Sequence, residues 1–219
     1  MKKFVELSHP IVDGMKAYPG YPSPQVGAYI TRDESRARYA GKAEFYIGKV
    51  EMVCNVGTYL DSPFHRYANG PDLSRIPLES IAGLEGLVLD GTTTENRSIS
   101  IDCNQSDLSG RAVLVRTGWD ERWGTDRYWE LGPYLSDSTI DVLLRGKVAL
   151  VGVDFWNIDD VENHSRPAHT RFLAANVPIV EHLANLVSLP RKGFKFYAVP
   201  PPIVKGASFP VRAYAELEQ

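Results

Sequence analysis

Along most of the chain the apolar residues fall in short runs rich in β-branched side chains. Five of these runs predict strands: Tyr46 to Val56, Gly86 to Asp90, Arg111 to Thr117, Lys147 to Phe155 and Phe194 to Val199. The segment KVALVGVDF is apolar on both faces, which predicts a central strand covered from both sides, and it runs into the acid-rich NIDDVE. Between Ser8 and Gly27, four prolines (Pro10, Pro19, Pro22, Pro24) and the glycines Gly14, Gly20 and Gly27 exclude a helix. Helical patterns are fewer. Pro77 to Ala82 reads as a short turn, and Ser138 to Arg145 as a helix capped by Ser136 or Ser138. Asn176 to Val187 predicts another helix, because Val180, Leu183, Ala184 and Val187 follow i, i+3, i+4, i+7 spacing behind the start signals Asn176 and Pro178. Strands and helices interleave without an internal repeat or a flexible linker, so residues 1–219 are expected to form one α/β domain with mixed β-sheets and flanking helices.

Composition narrows the function classes. With 219 residues, 43% hydrophobic and 23% charged, the chain has ordinary globular make-up, and disordered or collagen-like structure is excluded. A net charge of -3 gives no general attraction to nucleic acid or anionic membrane, and the basic pairs Lys2-Lys3 and Arg191-Lys192 read as solvated surface. Two cysteines, Cys54 and Cys103, are too few for a disulfide scaffold or a thiolate zinc site, and Cys54 beside Val53 reads as a buried, inert thiol. The N-terminus lacks the apolar core of a secretory signal and no run reaches membrane-spanning length, so the expectation is a soluble cytoplasmic protein.

The densest group of special residues is Asn55-Val56-Gly57-Thr58-Tyr59-Leu60-Asp61-Ser62-Pro63-Phe64-His65. Gly57 and Pro63 disfavour helix and place Asp61 and His65 on a bent loop leaving a strand, where sites are commonly built. A carboxylate and an imidazole converging there can bind a divalent cation or act as an acid/base pair. The same letters also fit an Asp capping a turn beside a surface histidine.

This stretch resembles the signature H-x-G-T-H-x-D-x-P-x-H of the cyclase family, which includes bacterial kynurenine formamidase, isatin hydrolase and polyketide ring cyclases. Gly57, Thr58, Asp61, Pro63 and His65 match in register. Leu7 to Ile11, Tyr18-Pro19-Gly20, Arg116 to Trp119, Gly152-Val153-Asp154 and Pro210 to Ala213 are similar to further family segments, so the resemblance covers nearly the whole chain. His169 and Glu181, twelve residues apart in HTRFLAANVPIVEHLANL, look like its second group of metal ligands. The resemblance implies a swivelling β/β/α-like fold and a metal-dependent hydrolase of arylformamidase type, cutting an amide, lactam or ester of a small aromatic substrate.

Two departures change what the resemblance implies. Asn55 and Tyr59 stand where the family has metal-binding histidines, and an amide oxygen or a phenol is a poor substitute for imidazole toward zinc. One divalent ion, zinc or manganese, is therefore expected, held by Asp61, His169 and Glu181, with His65 as the catalytic acid/base. Glu181 is expected early in the Asn176 helix, where the helix dipole favours its charge. Asn55, Tyr59, Ser62 and Trp119 are candidates for substrate or oxyanion contact, and Tyr18, Phe64, Trp123, Trp129 and Trp156 complete an aromatic inventory suited to a flat substrate. His164 and His182 read as surface residues, and His9 has a weak claim to the pocket. A homo-oligomer, dimer or tetramer, is implied by resemblance alone. The alternatives are a metal-free binding or interaction protein and a ring-closing cyclase.

Overall fold

The computed structural model describes residues 2–92 and 97–217. Its first strands are β1 (Lys3–Glu6), β2 (Gln25–Ile30), β3 (Ile47–Glu51) and β4 (Tyr59–Asp61). The middle of the chain supplies β5 (Ala82–Asp90), β6 (Ser98–Ile99), β7 (Ala112–Arg116), β8 (Tyr134–Leu135) and β9 (Leu150–Val153). The last strands are β10 (Ile179–Glu181), β11 (Phe194–Tyr197), β12 (Ser208–Pro210) and β13 (Tyr214–Leu217). Three α-helices intervene: α1 (Arg32–Arg38), α2 (Asp137–Arg145) and α3 (Pro167–Ala174).

Nine strands form one mixed sheet in the order β1-β13-β11-β5-β7-β9-β10-β4-β12, parallel from β5 through β10 and antiparallel elsewhere. The period-2 alternation of its strands divides the core in two. Ala112 and Leu114 of β7, with Leu84 and Val88 of β5, face one cluster; Val113 and Val115, with Leu87 and Leu89, face the other. The second cluster is covered by Ile140 and Leu143 of α2 and by Ala168, Phe172 and Leu173 of α3. The first gathers residues from both ends of the sheet, Val5, Phe196 and Ala215 from one and Leu60 and Val180 from the other. As KVALVGVDF predicts, β9 is buried on both faces. At Gly86 the packing leaves no room: a Cβ there would lie 1.9 Å from the Phe194 ring.

Several sequence expectations need correction. The predicted strand Tyr46–Val56 shortens to β3, which pairs with β2 in a two-stranded ribbon. That ribbon and its flanks carry exposed Tyr29, Phe45, Tyr46, Ile47 and Val50. The cap of α2 is Ser136, whose hydroxyl accepts from the Thr139 amide. Asn176–Val187 is not a helix but β10 followed by a turn and a short 3₁₀ segment, Leu186–Ser188. Val180, Leu183 and Ala184 do bury, yet Val187 is 69% exposed. Asn176, His182 and Asn185 adopt φ of 57°, 58° and 58°, which breaks a helix three times. The β-branched Ile179 and Val180 instead find ladder partners on both sides, in β9 and β4. Cys54 is exposed, not buried, because its neighbourhood leaves the sheet before β4 begins. Among the described residues no helix is long and apolar enough to cross a membrane.

Candidate active site

The site is assembled by strand register. In β4, Tyr59 and Asp61 are two apart and point to one face. Antiparallel pairing sets Glu181 of β10 opposite Tyr59 on one side and Ser208 of β12 opposite Asp61 on the other. These two cross-strand pairs become hydrogen bonds: the Tyr59 hydroxyl donates to Glu181 Oε2 at 2.5 Å, and the Ser208 hydroxyl donates to Asp61 Oδ1. Asn55, just upstream of β4, donates its amide to the same Asp61 oxygen at 3.4 Å. After β4, a 3₁₀ turn at Pro63–His65 returns His65 to the cleft, with Nδ1 3.0 Å from the Ser208 hydroxyl and 3.7 Å from Asp61 Oδ1.

His169 arrives from the first turn of α3. The buried Asp159 carboxylate caps that turn, accepting from the amides of Ala168 and His169 at 2.6 and 3.2 Å. The same carboxylate accepts from His169 Nδ1 at 2.6 Å, so Nε2 is the free nitrogen, and it lies 3.6 Å from Asp61 Oδ2 and 3.8 Å from Glu181 Oε1. Arg166, at φ 50°, sits at the head of the helix and donates to Asn157 Oδ1 at 2.9 Å.

Tyr18, Tyr21, Asn55, Tyr59, Asp61, His65, Asn157, Arg166, His169 and Glu181 line one cleft of about 280 Å³. Four of its buried groups are shifted by their surroundings. Burial opposes the charge of Asp61, but His65, His169 and the Ser208 hydroxyl hold its carboxyl below the ordinary carboxylate range. Burial pushes Glu181 up to about 7 despite the nearby His169. His169 goes the other way: burial lowers it, and Asp159 and Asp61 outweigh that and raise it to about 10. Tyr59 is kept protonated by burial and by the charges of Glu181 and Asp61.

This donor set fits a cation. Asp61 Oδ2 is a buried carboxylate oxygen without a hydrogen-bond partner, an expensive arrangement unless a positive centre meets it. Ligand atoms of Asp61, His65 and His169 lie within 4.8 Å of one another, so these residues can hold a metal ion. Glu181, on β10 and not on a helix, owes its environment to Tyr59, the Ile158 amide and His169 instead of a helix dipole.

The other sequence candidates divide clearly. Asn55 and Tyr59 line the cleft. Ser62 is buried with its hydroxyl donating to Ala207 O, and Trp119 packs against the second core with its indole donating to Tyr128 O. Trp156 is buried and donates to Glu130 O, while Trp123 stacks on His9 at 3.9 Å. His182 is buried, not on the surface; Tyr128 OH lies 2.8 Å from its Nδ1, and burial lowers its pKa to about 3. Sequence reasoning missed Ser208, Asp159, Asn157, Arg166 and Tyr21. Only the acid-rich NIDDVE hinted at Asp159.

Comparison with known proteins gives the chain relatives in sequence and in fold. The profile of the family described as putative cyclase matches residues 5–160. The chain is 22% identical to kynurenine formamidase of Bacillus cytotoxicus over 212 residues, covering 96% of each chain. It is 30% identical to kynurenine formamidase of Erythrobacter litoralis over 168 residues, 73% of this chain and 72% of that one. In fold it is similar to isatin hydrolase A from Labrenzia aggregata bound to benzyl benzoate, with a TM-score of 0.84, 22% identity, and coverage of 100% of this chain and 94% of the other. A structure described as a potential metal-dependent hydrolase with cyclase activity matches at a TM-score of 0.78 and 21% identity, with all of both chains covered.

Proposed function

The chain belongs to the cyclase family, and on that footing we propose that it is a metal-dependent hydrolase cutting an amide, lactam or ester bond of a small aromatic substrate, in the manner of an arylformamidase. It is a hydrolase, as are the kynurenine formamidases to which it aligns over most of its length. The observation that carries the metal dependence is the buried, unpartnered Asp61 Oδ2 facing His169 Nε2 at 3.6 Å in a cleft rimmed by Tyr18 and Tyr21.

One divalent ion, zinc or manganese, would be held by Asp61, His169 and Glu181. Such an ion supplies a Lewis acid that polarises a carbonyl and lowers the pKa of water. The protein's own residues do the rest. Asp159 accepts from His169 Nδ1, which leaves Nε2 facing the carboxylates as the nitrogen that would give up its proton to an ion. His65, the exposed member of the group, is oriented through Nδ1 by Ser208 and carries the proton from water to the leaving group. Tyr18 and Tyr21, 5.1 Å apart, offer an aryl contact at the mouth.

Metal analysis of protein purified without chelator, together with turnover of N-formylkynurenine and simpler formanilides by the wild type and Asp61→Ala, tests this reading. Bound divalent ion and loss of turnover in the variant support it. Absence of ion with unchanged hydrolysis in Asp61→Ala would sink it, and ligand binding indifferent to chelator would favour a metal-free binding protein instead. The exposed apolar ribbon of β2 and β3 supports a homo-oligomer, to be read by sedimentation. A cytoplasmic location completes the proposal.

A further inference from the structure

Asp61 and Glu181 bring four carboxylate oxygens to the base of the cleft, and three of them already accept hydrogen bonds from neutral donors. Asp61 Oδ1 takes the Ser208 hydroxyl and the Asn55 amide. Glu181 Oε1 takes the Ile158 amide at 2.7 Å, and Glu181 Oε2 takes the Tyr59 hydroxyl. The fourth, Asp61 Oδ2, has none. Among the described residues, the imidazole nitrogen that lies between the two carboxylates is His169 Nε2, 3.6 Å from that orphan oxygen and 3.8 Å from Glu181 Oε1.

The geometry points to Asn55 and Tyr59 as positioning residues that confine the site to a single ion. Each presents a proton where a second cation would need a lone pair. The Tyr59 hydroxyl occupies Oε2 and, with the Ile158 amide, fixes the Glu181 carboxylate so that Oε1 faces His169, which makes it a one-oxygen ligand. The Asn55 amide does the same on the Oδ1 side of Asp61 and leaves Oδ2 for the ion. Two buried acids are then compensated by one cation and four neutral donors, where an imidazole-rich site would draw in a second cation. Neither side chain needs to touch the ion.

This inference rests on the proposed metal site, and the test separates the two. Chelator-stripped protein is titrated with zinc sulfate by calorimetry, and bound zinc is counted by mass spectrometry after dialysis, for the wild type, Tyr59→Phe and the double variant Asn55→His/Tyr59→His. Circular dichroism checks that each is folded. The expected results are one zinc per chain in the wild type, one zinc bound about 10- to 100-fold more weakly in Tyr59→Phe, as for loss of other groups that orient a ligand, and two per chain in the double variant. Two zinc ions in the wild type, unchanged affinity in Tyr59→Phe, or a folded double variant that still binds one would overturn the inference and leave the hydrolase reading standing. No zinc in the wild type would overturn both. If the wild type loaded with ferric ion shows a phenolate charge-transfer band, Tyr59 is itself a ligand and the positioning role is refuted.

Discussion

Asp159→Asn isolates the link between fold and site. In the wild type the carboxylate accepts three N–H groups, from the Ala168 amide, the His169 amide and His169 Nδ1. An asparagine keeps the shape but turns one acceptor oxygen into an NH₂ donor. If its oxygen stays at the Oδ1 place with the Ala168 amide, the NH₂ takes the Oδ2 place and confronts both the His169 amide and His169 Nδ1, and the imidazole must move its proton to Nε2, the nitrogen that faces Asp61. If the side chain flips, a helix amide is stranded instead. Either way at least one buried donor loses its partner, at about 1–3 kcal/mol, and metal affinity falls about 10- to 100-fold, through the wrong tautomer in the first case and through loss of the negative charge behind the imidazole in the second. Asp159→Ala strands all three donors and costs roughly 3 kcal/mol or more on the same scale.

The pH dependence of the metal-free protein gives a second handle on this variant. His169 is raised from 6.5 to about 10, against burial, by Asp159 and Asp61. A raised basic group contributes stability that is fully present below the unfolded value and is lost as pH rises through the folded value. Metal-free wild type should therefore lose stability between pH ~6.5 and about 10, and Asp159→Asn should flatten that slope. Urea unfolding at several pH values and competition with a zinc-binding dye measure both effects. Wild-type zinc affinity and an unchanged pH slope in Asp159→Asn would refute the reasoning.

Three further outcomes follow from the same structure. His65→Ala, at an exposed position, should leave unfolding free energy within about 0.5 kcal/mol of wild type, while turnover drops roughly 10²- to 10⁴-fold; pre-steady-state rates separate this from weakened binding. Gly86→Ala drives a methyl into the Phe194 ring, 1.9 Å away before relaxation, and should cost about 1–3 kcal/mol or more, read as a lower urea midpoint with unchanged slope. Asp154, raised to about 7 by burial although Thr117 and Gly118 donate to it, binds a proton in the folded state that the unfolded chain releases near pH 4, so it should make stability fall between pH ~4 and ~7. Asp154→Asn should reduce that slope and leave the part that Glu181, also raised to about 7, contributes over the same range, as followed by thermal unfolding.

Much of this molecule was legible along the chain. β-branched runs located β5, β7, β9 and β11 because a strand's burial pattern is local, with period two along contiguous residues. Ser136 capped α2 as expected, since a cap is satisfied within three residues. Asp61 and His65 could be nominated from their place in the Asn55–His65 cluster, and His169 from the resemblance of its segment to the family's second group of ligands.

Tertiary structure decided the rest. Asn176–Val187 has helical spacing, yet β9 and β4 offer it two ladders at once, and three left-handed residues cut any helix short. Periodicity over so short an apolar stretch cannot tell a buried helix from a buried strand. His182 reads as polar by type but is sealed beneath Tyr128 and Trp123. The Tyr59–Glu181 and Ser208–Asp61 pairs join residues 122 and 147 positions apart, because register across β4 puts them face to face. The sequence alone therefore named the acids and imidazoles of the site. Which oxygens remain free for a cation is settled by strand pairing, since hydrogen-bond partners across a sheet are chosen by register and not by distance along the chain.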